Sequence, residues 1–176
     1  MPEITFNTKE GQTVGRELMV AHLNTGTNDE PVWSPIGKRV SESDVELDWG
    51  TDTSNDILGQ TWTTVKKPTK TQSFDPIPLD AGDPAAVMLW NLGIKEENAQ
   101  ALANMDMMIA HFYAGTGAKN FAERYTGCAV VPTRIGGEGG GNLEISTDVT
   151  YGGARILGTA TKDPSGKITF APDSEA

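Results

Sequence analysis

The chain has 176 residues, and 24 Asp and Glu against 14 Lys and Arg leave a formal net charge of -10. A free-standing nucleic-acid binder needs the reverse balance, because its affinity comes from neutralising phosphates, so that class is excluded. The length suits a single domain over 1–176, the 20 Gly and 10 Pro favour turns over long helices, and a lone cysteine, Cys128, rules out an internal disulfide.

The first residues, to about 15, read as a flexible segment. Met1-Pro2-Glu3 lacks a charged stretch followed by an apolar one, so no export signal is expected. Leu18 to Asn24 is a candidate strand, and Asn24 to Pro31 is a turn cluster. Asp44 to Trp49 alternates strictly, placing acids on one strand face and Val45, Leu47 and Trp49 on the other. Gly50 to Asp56 reads as a polar, acidic loop, followed by strands at Thr61 to Lys67 and Thr71 to Ile77. One helix is well marked: Asp83 caps it, Pro84 suits its first position, and Gly93 closes it. Ala85 to Leu92 is apolar nearly all round, which predicts burial on several sides. Its Ala85–Trp90 core is also the longest apolar run, far short of the ~20 residues of a membrane span, so no membrane partner is expected.

A second short helix fits Lys95 to Asn104. Strands follow at Met105 to Tyr113 and Tyr125 to Thr133, then a flexible linker at Gly136 to Gly141. Leu143 to Tyr151 alternates again, with Glu144 and Asp148 on its polar face. Gly152-Gly153 predicts a bend before Ala154 to Thr161. Ile168 to Phe170 is the last strand, and a loose tail occupies about 171–176. Two helices between blocks of strands give a mainly β, α+β fold on antiparallel sheet.

Catalytic chemistry finds little support. His22 and His111 sit in separate strands with no ligand spacing around them, and read as packing residues. Cys128 has no basic neighbour to make it a thiolate and reads as core. The Gly136–Gly141 stretch lacks the Lys and Ser/Thr of a phosphate loop. Asp48, Asp52, Asn55 and Asp56 could offer oxygen ligands to calcium, yet their spacing is not that of an EF-hand loop. No triad or carboxylate pair stands out, so the expectation is a non-enzyme without cofactor.

Charge layout says more. Six acids lie between Glu42 and Asp56 with no Lys or Arg among them, and Lys66, Lys67 and Lys70 follow. They could be two solvated faces. They could also be the two poles of a head-to-tail contact, with Asp52 and Asp56 of one copy meeting the lysines of the next. A competing reading is a monomeric β-sandwich that binds a ligand or carbohydrate on Trp33, Trp49 and Trp62.

The order of these pieces carries a resemblance. Asn24-Thr25-Gly26-Thr27 is followed by Val32-Trp33-Ser34-Pro35-Ile36-Gly37, then Ser41 to Trp49. After the polar loop come Gly59-Gln60-Thr61-Trp62-Thr63, Lys67 to Asp75, and Asp83-Pro84. From about Glu17 to Phe170 the chain resembles the major tail tube proteins of long-tailed, non-contractile bacteriophages. The Gly136–Gly141 linker has no counterpart in that pattern. The resemblance implies an antiparallel β-sandwich or rolled β-barrel with a flanking helix. It also implies six copies per ring and rings stacked into a tube, whose inner sheets join in one barrel. A tape-measure protein and tail-end proteins would be partners, DNA would pass without tight binding, and assembly in the bacterial cytoplasm would place the protein in the virion tail. In such a tube an acidic wall would repel phosphate, and Asp44, Glu46, Asp48, Glu144 and Asp148 are the candidate lumen residues. The acidic loop from Gly50 to Gly59 would touch a neighbour and order on assembly.

Overall fold

Period-two alternation dictates paired strands, and the computed structural model, which describes residues 4–116 and 118–173, pairs them all antiparallel. The strands are β1 (Met19–Asn24), β2 (Trp33–Pro35), β3 (Val45–Asp48), β4 (Thr51–Asn55), β5 (Thr61–Val65) and β6 (Thr69–Pro78). Then come β7 (Met105–Thr116), β8 (Lys119–Gly136), β9 (Glu144–Tyr151), β10 (Arg155–Lys162) and β11 (Ile168–Pro172).

The organising element is β8, 18 residues long and shared by two sheets. Its first half lies between β7 and β10, in a sheet ordered β2-β1-β7-β8-β10-β11. Its second half borders β9, in a sheet ordered β8-β9-β6-β3. β11 and β2, the ends of the first sheet, approach each other, so that sheet is rolled. The sharp exchange between sheets needs glycine: a Cβ on Gly153, at φ 72°, would sit 2.5 Å from the Gly127 nitrogen. The Gly152-Gly153 bend expected from sequence is thus a close crossing of two backbones.

Two cores occupy opposite faces of the rolled sheet. Trp33, Met108, Ala110, Ala122, Ala160 and Ile168 fill its inside. The larger core, with Leu23, Ile77, Leu89, Met107, Ile109, Val130 and Val149, joins the rolled sheet to the second sheet and the helices. The architecture is the mainly antiparallel β-sandwich with flanking helix expected from sequence.

Helix α1 (Pro84–Trp90) starts where expected: the Asp83 carboxylate accepts hydrogen bonds from the Ala85 and Ala86 amides. It is not buried on several sides. Ala85, Ala86 and Leu89 face the core, whereas Val87 and Trp90 remain open to solvent. Gly93 does not close it either. The helix runs on into a π-turn at Asn91–Lys95, and the left-handed residue is Glu97, at φ 48°. Gly93 serves a close approach instead, since a Cβ there would lie 2.6 Å from Pro132 Cγ. A second helix, α2 (Ala99–Leu102), is capped by Asn98.

The acidic stretch expected as a loop is a strand. Thr51–Asn55 pairs residue for residue with Thr61–Val65, and the Thr- and Ser-rich composition suits a pleated backbone. At the chain's start, Phe6 bridges to Ala114 and stacks edge-on against Tyr113. At its end β11 runs to Pro172, and the Asp173 amide donates to the Leu157 carbonyl. The flexible segment and loose tail expected at the termini extend, at 1–3 and 174–176, outside the described residues.

Candidate assembly interface

Register across the second sheet decides where the acids point. Glu46 pairs with Thr71 and Thr71 with Thr150, so these three share one face. Asp148 pairs with Ser73 on that same face, and Glu144 lies on it two alternations along β9. Asp44 and Asp48 flank Glu46 with the same parity. All five acids expected to act together therefore stand on one side of a single sheet. Asp44, Glu46, Asp48 and Asp148 are exposed and Glu144 is half-buried. Between them the surface is hydroxyl-rich, with Ser73 donating to Asp148 at 2.7 Å. A shallow groove there is lined by Glu42, Asp44, Glu46 and Asp75 with Thr71 and Ser73. One cation shares the face: Arg134 reaches Asp75 at 3.2 Å.

This sheet is unfinished at both edges. Among the described residues no strand pairs with the outer edge of β3. Beyond Cys128 the second half of β8 pairs, among the described residues, only with β9. The alternation of β3 also lacks the buried face expected of it: Val45 is half-buried, while Leu47 and Trp49 are about half exposed at 49% and 52%. An apolar face without cover and an edge without a partner leave this part of the sheet open to further pairing.

The β4–β5 hairpin is the second exposed region. Every residue of both strands is exposed, including Trp62 and Val65. Within it Lys66 pairs with Asp52 at 2.7 Å, so two residues expected to meet across copies meet inside one chain. Asp56 closes the turn, its Oδ1 accepting from the amides of Leu58 and Gln60. Lys67 is exposed beside the hairpin's base. Lys70 departs from the expected cluster, because the strand's alternation turns it inward. Its Nζ donates to both Glu123 oxygens, at 2.9 and 2.8 Å, and stands 5.5 Å from the Tyr125 ring centroid. The three lysines thus form no single patch. The tryptophans form no single platform either: Trp33 is buried in the rolled sheet under Arg124, while Trp62 is on the hairpin.

Glu123 is the most heavily partnered buried group. His111 Nε2, Tyr125 Oη and Arg155 also reach it, at 3.1, 2.9 and 2.6 Å. Burial alone would raise its pKa; the hydrogen bonds from His111 and Lys70, with the Lys70 charge, overcome that and hold the carboxyl well below the usual range. This network ties β6 of one sheet to β7, β8 and β10 of the other. His111 is therefore a structural bridge, as its isolation in the sequence suggested. His22 is buried too, its Nδ1–H donating to the Val20 carbonyl at 3.1 Å; burial lowers its pKa to about 4. Burial pushes the Cys128 thiol up to about 11, as suits a core residue. Among the described residues no three His, Cys, Asp or Glu side chains gather to hold a metal. No helix there is long and apolar enough to cross a membrane.

Sequence reasoning missed Asp75 and Arg134 on the acidic face, and Ile57 and Leu58 at the hairpin tip. Asp75 follows from alternation with Thr71 and Ser73, whereas Arg134 reaches this face through a bulge in β8 that alternation cannot show. The tip carried a readable signal, an aliphatic pair inside a turn that closes with Gly59.

No protein-family model matches the chain, and no curated protein matches it. Solved structures do. Over 88% of this chain and 96% of the other, it is similar to the tube-terminating cap of the anti-feeding prophage, at 11% identity and a TM-score of 0.51. Over 85% and 99% it is similar to the sheath/tube terminator of an extracellular contractile injection system, at 8% identity and the same TM-score. At such identities the likeness is one of fold: the chain has a fold related to components of tail-like tubes.

Proposed function

We propose that this chain is a structural subunit of a phage-type tail tube, assembling with copies of itself into stacked rings, six to a ring, through which DNA passes. The observation that carries the reading is a sheet with five acids on one face and a free backbone edge on each side. Joining the β3 edge of one copy to the β8 edge of the next extends the sheet, and closing the circle abolishes every edge. The acidic face then lines the bore. Phosphates meet like charge over a reach of about 8 Å at physiological salt, so the polymer slides instead of binding. A tape-measure protein inside the bore and tail-end proteins at its limits complete the assembly, and the virion tail is its place. The narrower assignment to non-contractile phages rests on the sequence order from Glu17 to Phe170.

Electron microscopy of the concentrated, purified protein tests the reading: rings or tubes are expected, and a monomer at every concentration overturns it. A ring at the end of the tube is the second reading, favoured because two of the similar structures are named as a cap and a terminator. Isolated rings that never stack would select it.

A further inference from the structure

We infer that the tip of the β4–β5 hairpin docks its Ile57 and Leu58 side chains into an apolar groove beside helix α1 of a second copy of this chain. The inference rests on the self-assembling reading above and assigns one of its contacts. Ile57 is fully exposed and Leu58 is 79% exposed, in a turn where water favours polar residues. The turn is rigid. Asp56 holds the amides of Leu58 and Gln60 at 2.9 and 2.8 Å, and the Gly59 amide returns to the Asp56 carbonyl at 3.1 Å. Two aliphatic side chains are therefore presented ready for contact, with little ordering left to do.

The same chain carries a receptor for them. Leu79, Ala81, Val87 and Trp90 line a groove of about 220 Å³, with Asp80 on its rim. Val87 and Trp90 remain exposed at 39% and 36%, on the side of α1 that the core does not cover. Charge selects the occupant. Lys38 at 2.9 Å and Arg39 at 4.0 Å both address Asp80, leaving a positive excess at the rim, and the turn that carries the tip is closed by Asp56. An apolar knob above an acid fits an apolar hole beside two cations. Knob and hole are different patches of one chain, so the contact is heterologous and propagates from copy to copy.

Disulfide trapping in the full-length protein tests this. A size-tagged chain with Leu58→Cys is mixed with an untagged chain carrying Val87→Cys and oxidised, and a Thr169→Cys chain on β11 serves as the control partner. Ile57→Cys provides a second knob position if Leu58→Cys does not fold. The mixed-chain disulfide is expected in roughly tenfold excess over the control. Trapping together with rings or tubes supports both this contact and the tube reading. Trapping without rings or tubes keeps the contact and removes the tube reading. Assembly without trapping means that another segment or partner covers the groove, and it overturns the inference alone. Neither assembly nor trapping overturns both.

Discussion

The seam around Glu123 and the β4–β5 hairpin use similar residues to opposite ends. Both contain a lysine–carboxylate pair, yet the Lys70–Glu123 pair is 15% and 4% exposed while Lys66–Asp52 is 69% and 62% exposed. In the seam, Glu123 and Lys70 are largely shielded from solvent and each charge depends on its partner. On the hairpin, water screens the pair and its loss costs little. The seam fixes the fold of the single chain, and the hairpin leaves its apolar side chains exposed.

The largest effect that sharpens this contrast is Glu123→Gln, which leaves Lys70 buried without its counter-charge. A loss of about 3–5 kcal/mol in urea unfolding is expected. Removing the Lys70 charge as well, Glu123→Gln with Lys70→Met, should recover part of it, because the amide oxygen still accepts from Tyr125 and Arg155 while no unpaired lysine stays buried. If the single change costs no more than Lys66→Ala, the contrast collapses.

Acid should act on the buried side of the comparison. The folded His22 pKa is about 4 against 6.5 when unfolded, so between those values the unfolded chain binds the extra proton. Stability is therefore complete above pH 6.5 and declines as the pH falls toward 4, by roughly 3 kcal/mol. Glu123, depressed further, stays ionised throughout that window. Thermal unfolding at a series of pH values checks this, and His22→Gln should flatten the profile.

Packing gives the next step down. Gly93→Ala pushes a methyl group against Pro132 and should cost about 1–3 kcal/mol, with an unchanged hairpin. The smallest effect belongs to Lys66→Ala, under about 1 kcal/mol in the isolated monomer. Replacing Asp44, Glu46, Asp48, Glu144 and Asp148 by their amides should leave folding similarly untouched while assembled tubes begin to retain DNA. A filter-binding measurement reads that gain, and unchanged retention would remove the bore assignment.

How far the sequence could be read follows the same division. Strand positions came through where burial writes period two into the residues, as in Leu143 to Tyr151, but not over Lys119 to Arg124, where the buried Glu123 breaks the pattern. Only half of the hairpin was legible: Trp62 and Val65 give Thr61–Val65 the composition of a strand, whereas Thr51–Asn55 has no apolar residue and resembles a loop. Lys70 was misplaced because charge runs ignore pleating, so a lysine three residues beyond Lys67 lies on the inward side. The shared face of the five acids was partly readable, since alternation groups them within each strand. Only register across β6 joins the two groups.

The long strand β8 has a mechanical meaning. Because a single unbroken backbone runs through both sheets, tension along it is carried by covalent bonds, and the sheets cannot be pulled apart without stripping β8 from β7, β9 and β10. A wall made of such units would carry load along β8 and yield first at the noncovalent contacts between copies.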